Sequence, residues 1–404
     1  MDVSRIREDF PVLQQEIRGK PVVYLDSACM SLKPRQVVEA ANEYYEKFPG
    51  CAGRSSHRFS REVTRKVEEA RQAAARFFGA KHTEEMVFTR NTTEAINLVA
   101  NSLGLKKGDM VITSDREHNS NLVPWQMLSS RKGVEHKVAG STQGEVFDMA
   151  GFESMLCGHV KLVSMVHTSN LDGYTLPVRD IIKAAHDYDT LVMLDGAQSA
   201  PHHSVNVRKL DADFFCCSGH KMLGPTGVGM LYGKRHLLEG LEPFMGGGET
   251  VEDSTYKGHK LLKPPERFEA GLQNYSGIIG MKAALDYLKK AGTERIARHE
   301  LELGRMMSDG ASGIPNLETV GVDNYALRGG VFNFNIRGLG FHEVALMLDQ
   351  TANVMVRSGR HCVHSWYNDR KVPGSVRASA YLYNNREDIR TFLDSLKKIA
   401  KLGK

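Results

Sequence analysis

Short apolar runs that alternate with helical patterns are the feature of this sequence that most restricts its fold. Such runs lie at residues 86–89, 160–166, 191–194, 214–217 and 228–232. Strands that are buried on both faces have this nearly continuous apolar composition. The segments 62–78 and 92–103 have helical spacing, which indicates helices between the strands. The pattern predicts an α/β domain with a mostly parallel sheet.

The pattern changes after about residue 245. Residues 246–266 are rich in glycine, proline and charged side chains, which predicts an exposed loop or flap rather than a core element. The elements predicted beyond it are helices at 278–291, 294–308, 341–351 and 386–401 and strands at 331–336, 354–357 and 376–383. They indicate a second, smaller α+β domain.

Charge and cysteine content argue against several classes of protein. The 53 Lys and Arg against 48 Asp and Glu leave a net charge of +5, and no long basic block points to nucleic acid. Six cysteines in 404 residues are too few for a disulfide scaffold. The first residues lack the apolar core of a secretory signal, and no apolar run approaches a membrane span. We therefore expect a cytoplasmic protein with reduced thiols and with neither a membrane nor a nucleic-acid partner.

An acidic residue and a lysine follow two of the apolar runs. Asp195 comes directly after run 191–194, and Lys221 follows run 214–217 in the motif Ser-Gly-His-Lys. Ligands bind open α/β sheets outside the carboxyl ends of the strands, where we expect both residues. A lysine there suits a Schiff base, and a carboxylate one strand away suits the pyridine nitrogen of pyridoxal phosphate. A solvated lysine and a simple Asp-Gly turn are the alternatives for each residue alone.

Two further segments offer groups for a phosphate and for a planar ring. Thr92 and Thr93 lie at a predicted strand-to-helix turn, where hydroxyls and helix amides favour a phosphate. Ser218 and His220 are further donors, and a plain helix cap is the alternative. His118 follows another predicted strand, where it could stack on a ring or carry protons near neutral pH. A structural histidine is the alternative.

One of the six cysteines is the candidate nucleophile. Cys362 is preceded by Arg360 and His361, and cations beside a thiol favour its reactive thiolate form. Arg377, on the next predicted strand, suits bidentate binding of a substrate carboxylate. A loop cysteine beside surface charges is the alternative. The other five are interpreted as packing or bystander residues, namely Cys29, Cys51, Cys157, Cys216 and Cys217.

Taken together and in this order, these segments resemble the cysteine desulfurases of the class V aminotransferase family. The resemblance is closest to the group II, SufS-like type, which includes the related selenocysteine lyases. It covers nearly the whole chain. The matching stretches are YLDSAC, RNTTEAINLVAN, EHNSNLVPWQML, HTSNLDG, LDGAQSAPHH, FCCSGHKMLGPTGVGMLYG, FMGGGE, RFEAG and RSGRHC.

The resemblance implies the fold type I of pyridoxal-phosphate-dependent transferases. A large α/β domain with a mostly parallel seven-stranded sheet flanked by helices would span residues 18–285. A smaller α+β C-terminal domain, residues 286–404, would carry the loop with the active-site cysteine. Residues 1–17 would form an N-terminal arm that packs on the small domain. The family also implies a homodimer. No partner at metal-ligand spacing accompanies His202 and His203, so we expect no metal.

The resemblance also implies which residues hold the cofactor, pyridoxal 5'-phosphate. Lys221 would bind it covalently and take the substrate's Cα proton. Asp195 would pair with its pyridine nitrogen, and His118 would stack on its ring. The residues implied to bind the phosphate are Thr92, Thr93, Ser218 and His220.

The remaining residues would act on the substrate, L-cysteine. Gln198 and Asn170 would contact the phenolic oxygen of the cofactor or the substrate, and Arg377 would bind the substrate carboxylate. Cys362 would attack the substrate sulfur and become a persulfide, while alanine leaves. His118 is the candidate acid or base for the substrate thiol. The persulfide would supply a sulfur-acceptor protein or scaffold for iron–sulfur cluster or other thio-cofactor assembly.

The sequence departs from the family pattern at several positions. Leu272-Gln273-Asn274 stands where the family commonly has Thr-Pro-Asn, whose threonine reaches the phosphate of the partner subunit. Arg360 replaces a histidine before Cys362, Gly53 replaces a histidine before Arg54, and Asn91 replaces a glycine. Alternatives within the family are a selenocysteine lyase and a cysteine-sulfinate desulfinase. More distant alternatives are an aminotransferase or epimerase of the same fold and a binding scaffold without cofactor.

Overall fold

The protein is described by a computed structural model that covers residues 1–403. Its strands are β1 Glu16–Ile17, β2 Lys20–Pro21, β3 Val23–Tyr24, β4 Met86–Thr89, β5 Met110–Ser114, β6 Glu135–Ala139, β7 Val160–Val166, β8 Leu191–Asp195, β9 Phe214–Ser218, β10 Gly229–Gly233, β11 Val251–Thr255, β12 Gly258–Leu261, β13 Leu317–Thr319, β14 Val331–Ile336, β15 Val354–Met355, β16 Arg357–Gly359 and β17 Ser375–Ser379.

Its helices are α1 Val3–Glu8, α2 Arg35–Lys47, α3 Arg58–Phe78, α4 Thr92–Ser102, α5 Val123–Lys132, α6 Met149–Glu153, α7 Val178–His186, α8 Ser199–His202, α9 Val207–Leu210, α10 Arg235–Gly240, α11 Tyr275–Ala291, α12 Thr293–Ala311, α13 Phe341–Ala352, α14 His364–Asp369 and α15 Arg386–Ala400.

A seven-stranded sheet forms the larger layer, in the order β4-β10-β9-β8-β7-β5-β6. Strand β10 is antiparallel to both of its neighbours, and the other pairs are parallel. Strands β4, β5, β9 and β10 are buried along their whole length, as their apolar composition predicts. The predicted mostly parallel, seven-stranded α/β sheet is confirmed. Parallel pairing brings the carboxyl ends of β8 and β9 to one edge, where ligands bind in such sheets.

A second sheet is antiparallel, in the order β13-β14-β17-β16. Apolar residues of α12, α13 and α15 pack on it in a separate core cluster. Val23 and Leu25 belong to that cluster, and strand β3 pairs with β15. Arg7 near the N-terminus also donates hydrogen bonds to Tyr383 O and to Asp388 Oδ2, both over 2.8 Å. The first residues of the chain therefore fasten onto its last third.

Some elements differ from the sequence-based predictions. The exposed flap at 246–266 contains a hairpin of β11 and β12, whose cross-strand bonds form without a buried face. The strand predicted at 376–383 ends at Ser379, because a turn follows in which Asn384 donates to Tyr381 O. Helices α2 and α7 and strand β6 were not predicted. Strand β6 is mostly exposed at the edge of the sheet, so it lacks an apolar run.

A buried ion pair fixes the end of the large sheet. The Arg71 guanidinium donates to both carboxylate oxygens of Glu269 over 2.7 and 2.9 Å, and Phe88 N donates to the same carboxylate over 2.7 Å.

Replacing Glu269 with Ala leaves the buried Arg71 cation without its partner. We predict that Glu269→Ala lowers the free energy of unfolding by about 3–5 kcal/mol, measured by denaturant titration. The exposed Glu69→Ala serves as the matched control, and a loss as small as the control's would contradict the prediction.

Candidate active site

One cavity of about 240 Å³ opens where the carboxyl ends of β8 and β9 face strands β16 and β17 of the smaller sheet. Its lining brings together the eleven side chains that the sequence predicts, namely Thr92, Thr93, His118, Asn170, Asp195, Gln198, Ser218, His220, Lys221, Cys362 and Arg377. They come from segments that are up to 285 positions apart in the chain. Both sheets are needed to assemble the cavity.

Lys221, which is half-buried, and Asp195, which is buried, lie side by side in the lining of this cavity. Burial lowers the pKa of the Lys221 amine, and the nearby Asp195 carboxylate opposes that effect. Burial likewise raises the pKa of Asp195, which Lys221 and a hydrogen bond from Ala197 N to Oδ1 (2.9 Å) counteract. A lysine whose ammonium form is disfavoured is a nucleophile and a base. The arrangement provides that amine beside one compensating carboxylate.

Hydroxyl groups surround the N-terminus of α4 at one end of the cavity. Thr92 N donates to Ser218 Oγ over 2.9 Å, and the hydroxyls of Thr92 and Ser218 are 2.8 Å apart. Asn91 caps the helix, because its Oδ1 accepts from Glu94 N over 3.0 Å. The two threonines are therefore not the cap. The Thr92 hydroxyl bonds to Ser218, the Thr93 hydroxyl lies 2.7 Å from Ser120 Oγ, and both threonines line the cavity. A helix N-terminus with clustered hydroxyls suits an anion such as a phosphate.

Two of the three histidines that line the cavity, His118 and His220, are neutral at physiological pH. Burial lowers the pKa of His118 to about 3, with Lys221 adding to the effect, and lowers that of His220 to about 4. Ser120 N donates to His118 Nδ1 over 3.1 Å, which leaves the imidazole proton on Nε2. His118 therefore enters the site as an uncharged ring with one donor.

Glu117 is a supporting residue that the sequence analysis did not assign. Its carboxylate accepts from Ser114, from Val166 N and from Asn121 Nδ2, and burial raises its pKa to about 8. These bonds tie the loop before His118 to the sheet. An acidic residue three positions after the end of the buried strand β5 was the available signal.

Arg377 and Asn170 lie at the other end of the cavity. Arg377 is almost fully buried, donates from Nη1 to Asn170 O over 2.7 Å and faces Asp26 at 3.4 Å. Its Nε has no hydrogen-bond partner among residues 1–403. The guanidinium therefore keeps donor capacity for a carboxylate. Gln198 Nε2 donates to Ala28 O over 2.5 Å, which orients the amide of Gln198.

The loop with Cys362 is held in an unusual backbone conformation. His361 and Cys362 have φ angles of 49° and 61°, in the left-handed region that non-glycine residues rarely adopt. Two hydrogen bonds of 2.7 Å hold the loop there, from Asn170 Nδ2 to His361 O and from Asn119 N to Cys362 O. The loop thereby delivers the Cys362 thiol to the cavity.

The cation beside Cys362 is a different arginine from the one that the sequence suggests. Arg360 turns away and donates to Asn368 Oδ1 over 2.9 Å and to Pro373 O over 3.2 Å. Arg357 Nη2 instead lies 4.0 Å from Cys362 Sγ. Arg357 is opposite Arg377 in the pairing of β16 with β17, so both guanidinium groups reach the cavity. Adjacent-residue reasoning missed Arg357, because the loop reverses between it and the cysteine.

Cys29 also lies in this cavity, although the sequence analysis interprets it as a packing residue. Its sulfur contacts Arg357 Nη1. A tight turn sets its position, with hydrogen bonds from Cys29 N and Met30 N to Asp26 O. Apolar neighbours in the sequence hid this location, because the turn and not the composition decides which way Cys29 faces.

The departure at Leu272-Gln273 lies outside this cavity. Gln273 Nε2 donates to the carbonyls of Ala270 and Gly271 over 3.2 and 3.1 Å, and Leu272 is largely exposed. Both residues line a second cavity of about 360 Å³.

Residues 1–403 can be compared with what a metal ion or a membrane would require. No group of three or more His, Cys, Asp or Glu side chains is arranged there to hold a metal ion. Among the helices of the same residues, none has both the length and the apolar character that crossing a membrane requires.

The family model for class V aminotransferases matches residues 23–392. The chain belongs to the class V aminotransferase family. A probable cysteine desulfurase from Synechocystis sp. is 42% identical over 397 residues, which are 97% of this chain and 94% of that protein. Among solved structures, an apo cysteine desulfurase from Thermococcus onnurineus NA1 superposes with a TM-score of 0.93 at 39% identity, with 98% of each chain covered. The cysteine desulfurase CsdA from Escherichia coli, in an S-sulfonic acid form, gives a TM-score of 0.92 at 31% identity over the full length of both chains.

Two matched variants test whether Arg357 or Arg360 acts on the Cys362 thiol of this class V protein. We predict that Arg357→Gln slows alkylation of Cys362 by iodoacetamide at neutral pH about threefold or more, because a nearby cation favours the thiolate. The matched variant Arg360→Gln leaves the rate unchanged, because the Arg360 guanidinium bonds elsewhere. Peptide mass spectrometry of a time course measures both rates. Slower alkylation in Arg360→Gln alone would contradict the assignment.

Proposed function

We propose that this protein is a pyridoxal-phosphate-dependent cysteine desulfurase. It converts L-cysteine to L-alanine and captures the sulfur as a persulfide on Cys362 for a sulfur-acceptor protein or scaffold. The observation that carries the proposal is the shared cavity, which joins Lys221 and the buried Asp195 to Cys362 and Arg377. Iron–sulfur cluster or other thio-cofactor assembly would consume the sulfur. The names of the relatives support the same reaction class.

The residues present fit pyridoxal phosphate. The hydroxyls of Thr92, Thr93 and Ser218, with His220, suit its phosphate at the N-terminus of α4. In this assignment Asp195 holds the pyridine nitrogen and His118 stacks on the ring. Lys221 provides the amine for covalent attachment, and Gln198 the amide for the phenolic oxygen. When bound, the cofactor supplies an electron sink for charge that develops at the substrate Cα.

Lys221 moves the first proton in the proposed reaction. Burial lowers the pKa of its amine, which favours the free amine that takes a proton from the substrate Cα. Asp195 compensates the positive charge that Lys221 then carries. His118 donates from Nε2 toward the substrate sulfur, since its Nδ1 is already occupied by Ser120 N.

Arg377 and Asn170 orient the substrate. The Arg377 guanidinium binds the carboxylate of L-cysteine, and its bond to Asn170 O holds it in place. Cys362 Sγ attacks the substrate sulfur, so that an S–S bond forms as the Cβ–S bond breaks. Arg357 stabilises the anionic sulfur during this exchange, 4.0 Å away.

The finer assignments are part of the same proposal. The protein acts as a homodimer in the cytoplasm, where a reducing environment preserves the free thiol of Cys362. Residues 18–285 form the cofactor domain, residues 286–404 the smaller domain, and residues 1–17 the arm that packs on it. The bonds from Arg7 to Tyr383 and Asp388 support that position of the arm.

The proposed role of Lys221 is tested by covalent attachment of the cofactor as well as by activity. We predict that Lys221→Ala loses the yellow absorbance that borohydride bleaches in the wild-type holoenzyme, because no amine remains for covalent attachment. Alanine formation falls by at least about 100-fold, because the same amine moves the Cα proton. The exposed Lys289→Ala retains both properties and is the control. Borohydride-sensitive absorbance that persists in Lys221→Ala would contradict the assignment.

Replacing Cys362 distinguishes a cysteine desulfurase from a selenocysteine lyase. A selenium leaving group departs without an acceptor thiol, whereas sulfur needs one. We predict that Cys362→Ala lowers alanine formation from L-cysteine by at least about 100-fold and retains formation from L-selenocysteine. The control Cys157→Ala changes neither rate. Equal retention with both substrates would favour a lyase, and amino transfer to a keto acid would favour an aminotransferase.

A further inference from the structure

We propose that Cys29 is a second sulfur-carrying residue, which receives the sulfane sulfur from Cys362. This inference rests on the proposed function, because Cys362 must first acquire a persulfide. Two thiols and one guanidinium in the same cavity are the observation that carries it.

The guanidinium of Arg357 joins the two sulfur atoms. Nη1 contacts Cys29 Sγ and Nη2 lies 4.0 Å from Cys362 Sγ. Each sulfur therefore faces one of the two terminal nitrogens of the planar guanidinium. A negative charge that passes from one sulfur to the other therefore stays beside the same cation. Such an arrangement favours attack of one sulfur, as a thiolate, on a persulfide that the other sulfur carries.

The two cysteines differ in how firmly they are held. Cys29 lies in a turn that is fastened to both sheets, because Ala28 N donates to Ser379 Oγ over 3.0 Å and Ala28 O accepts from Gln198. Cys362 and His361 have positive φ angles, a left-handed backbone that non-glycine residues rarely adopt. We therefore assign Cys362, on the strained loop, as the donor and Cys29, in the fastened turn, as the receiver.

The transfer needs no external oxidant or reductant. Cys29 Sγ attacks the outer sulfur of the Cys362 persulfide, and a new S–S bond forms as the old one breaks. The electron pair of the broken bond goes to Cys362 Sγ, which takes up the proton that Cys29 loses. The products are a Cys29 persulfide and a free Cys362 thiol. The subunit then stores one sulfur while Cys362 accepts another.

A sulfur-mapping experiment tests this transfer. The pyridoxal-phosphate-loaded enzyme is mixed with a small molar excess of L-cysteine over subunits, without acceptor protein or added reductant, quenched with iodoacetamide at intervals and digested for peptide mass analysis. We expect the extra sulfur first on Cys362 and then on Cys29. We also expect a burst of alanine that is about twofold larger in the wild type than in Cys29→Ser. Cys157→Ala is the matched control and keeps the wild-type burst.

The outcomes separate this inference from the proposed function. Sulfur on Cys362 with Cys29 unmodified, and an equal burst in Cys29→Ser, would overturn the inference alone. A Cys29–Cys362 disulfide with release of sulfide would also overturn it, because the inner sulfur would then have been attacked. If no alanine forms and no extra sulfur appears on Cys362, the proposed function and the inference are both overturned.

Discussion

The cavity depends on keeping an amine and a carboxylate out of water at the edge of a parallel sheet. Lys221 and Asp195 each lose solvation there, and each reduces the other's cost. The fold makes this possible because β8 and β9 run parallel and end at the same edge. Without that pairing, Asp195 would not lie close enough to Lys221 to offset the cost of its burial. The other groups of the cavity are placed around this pair.

The smaller sheet supplies the second half of the site. Antiparallel pairing puts Arg357 opposite Arg377, and the loop that follows β16 brings Cys362 back beside Arg357. Val23 and Leu25 of the N-terminal region pack into the same core as this sheet. The Cys362 thiol therefore lies on a layer that is built from both ends of the chain. The thiol comes from the smaller sheet and the Lys221 amine from the larger one, and the two meet at the cavity.

Much of the fold and site could be predicted because local patterns carry it. Continuous apolar runs identify the buried strands, and polar residues that follow them identify the ligand edge, as for Asp195. The direction of a side chain in a turn has no such local signature. Arg360 adjoins Cys362 in sequence yet bonds to Asn368, whereas Arg357 reaches the sulfur and Cys29 faces the cavity. Backbone turns and the hydrogen bonds that the folded chain makes decide these directions, so a sequence pattern does not contain them.

The central claim is that one cavity both frees sulfur from L-cysteine and keeps it on the protein. A single-turnover experiment with the pyridoxal-phosphate-loaded enzyme tests it, with alanine and protein-bound sulfur counted in the same quenched sample. The account predicts one extra sulfur on the protein for each alanine formed, and the earliest samples carry it on Cys362. Alanine that forms with all of its sulfur released to solution, and with Cys362 unmodified throughout, would contradict the account.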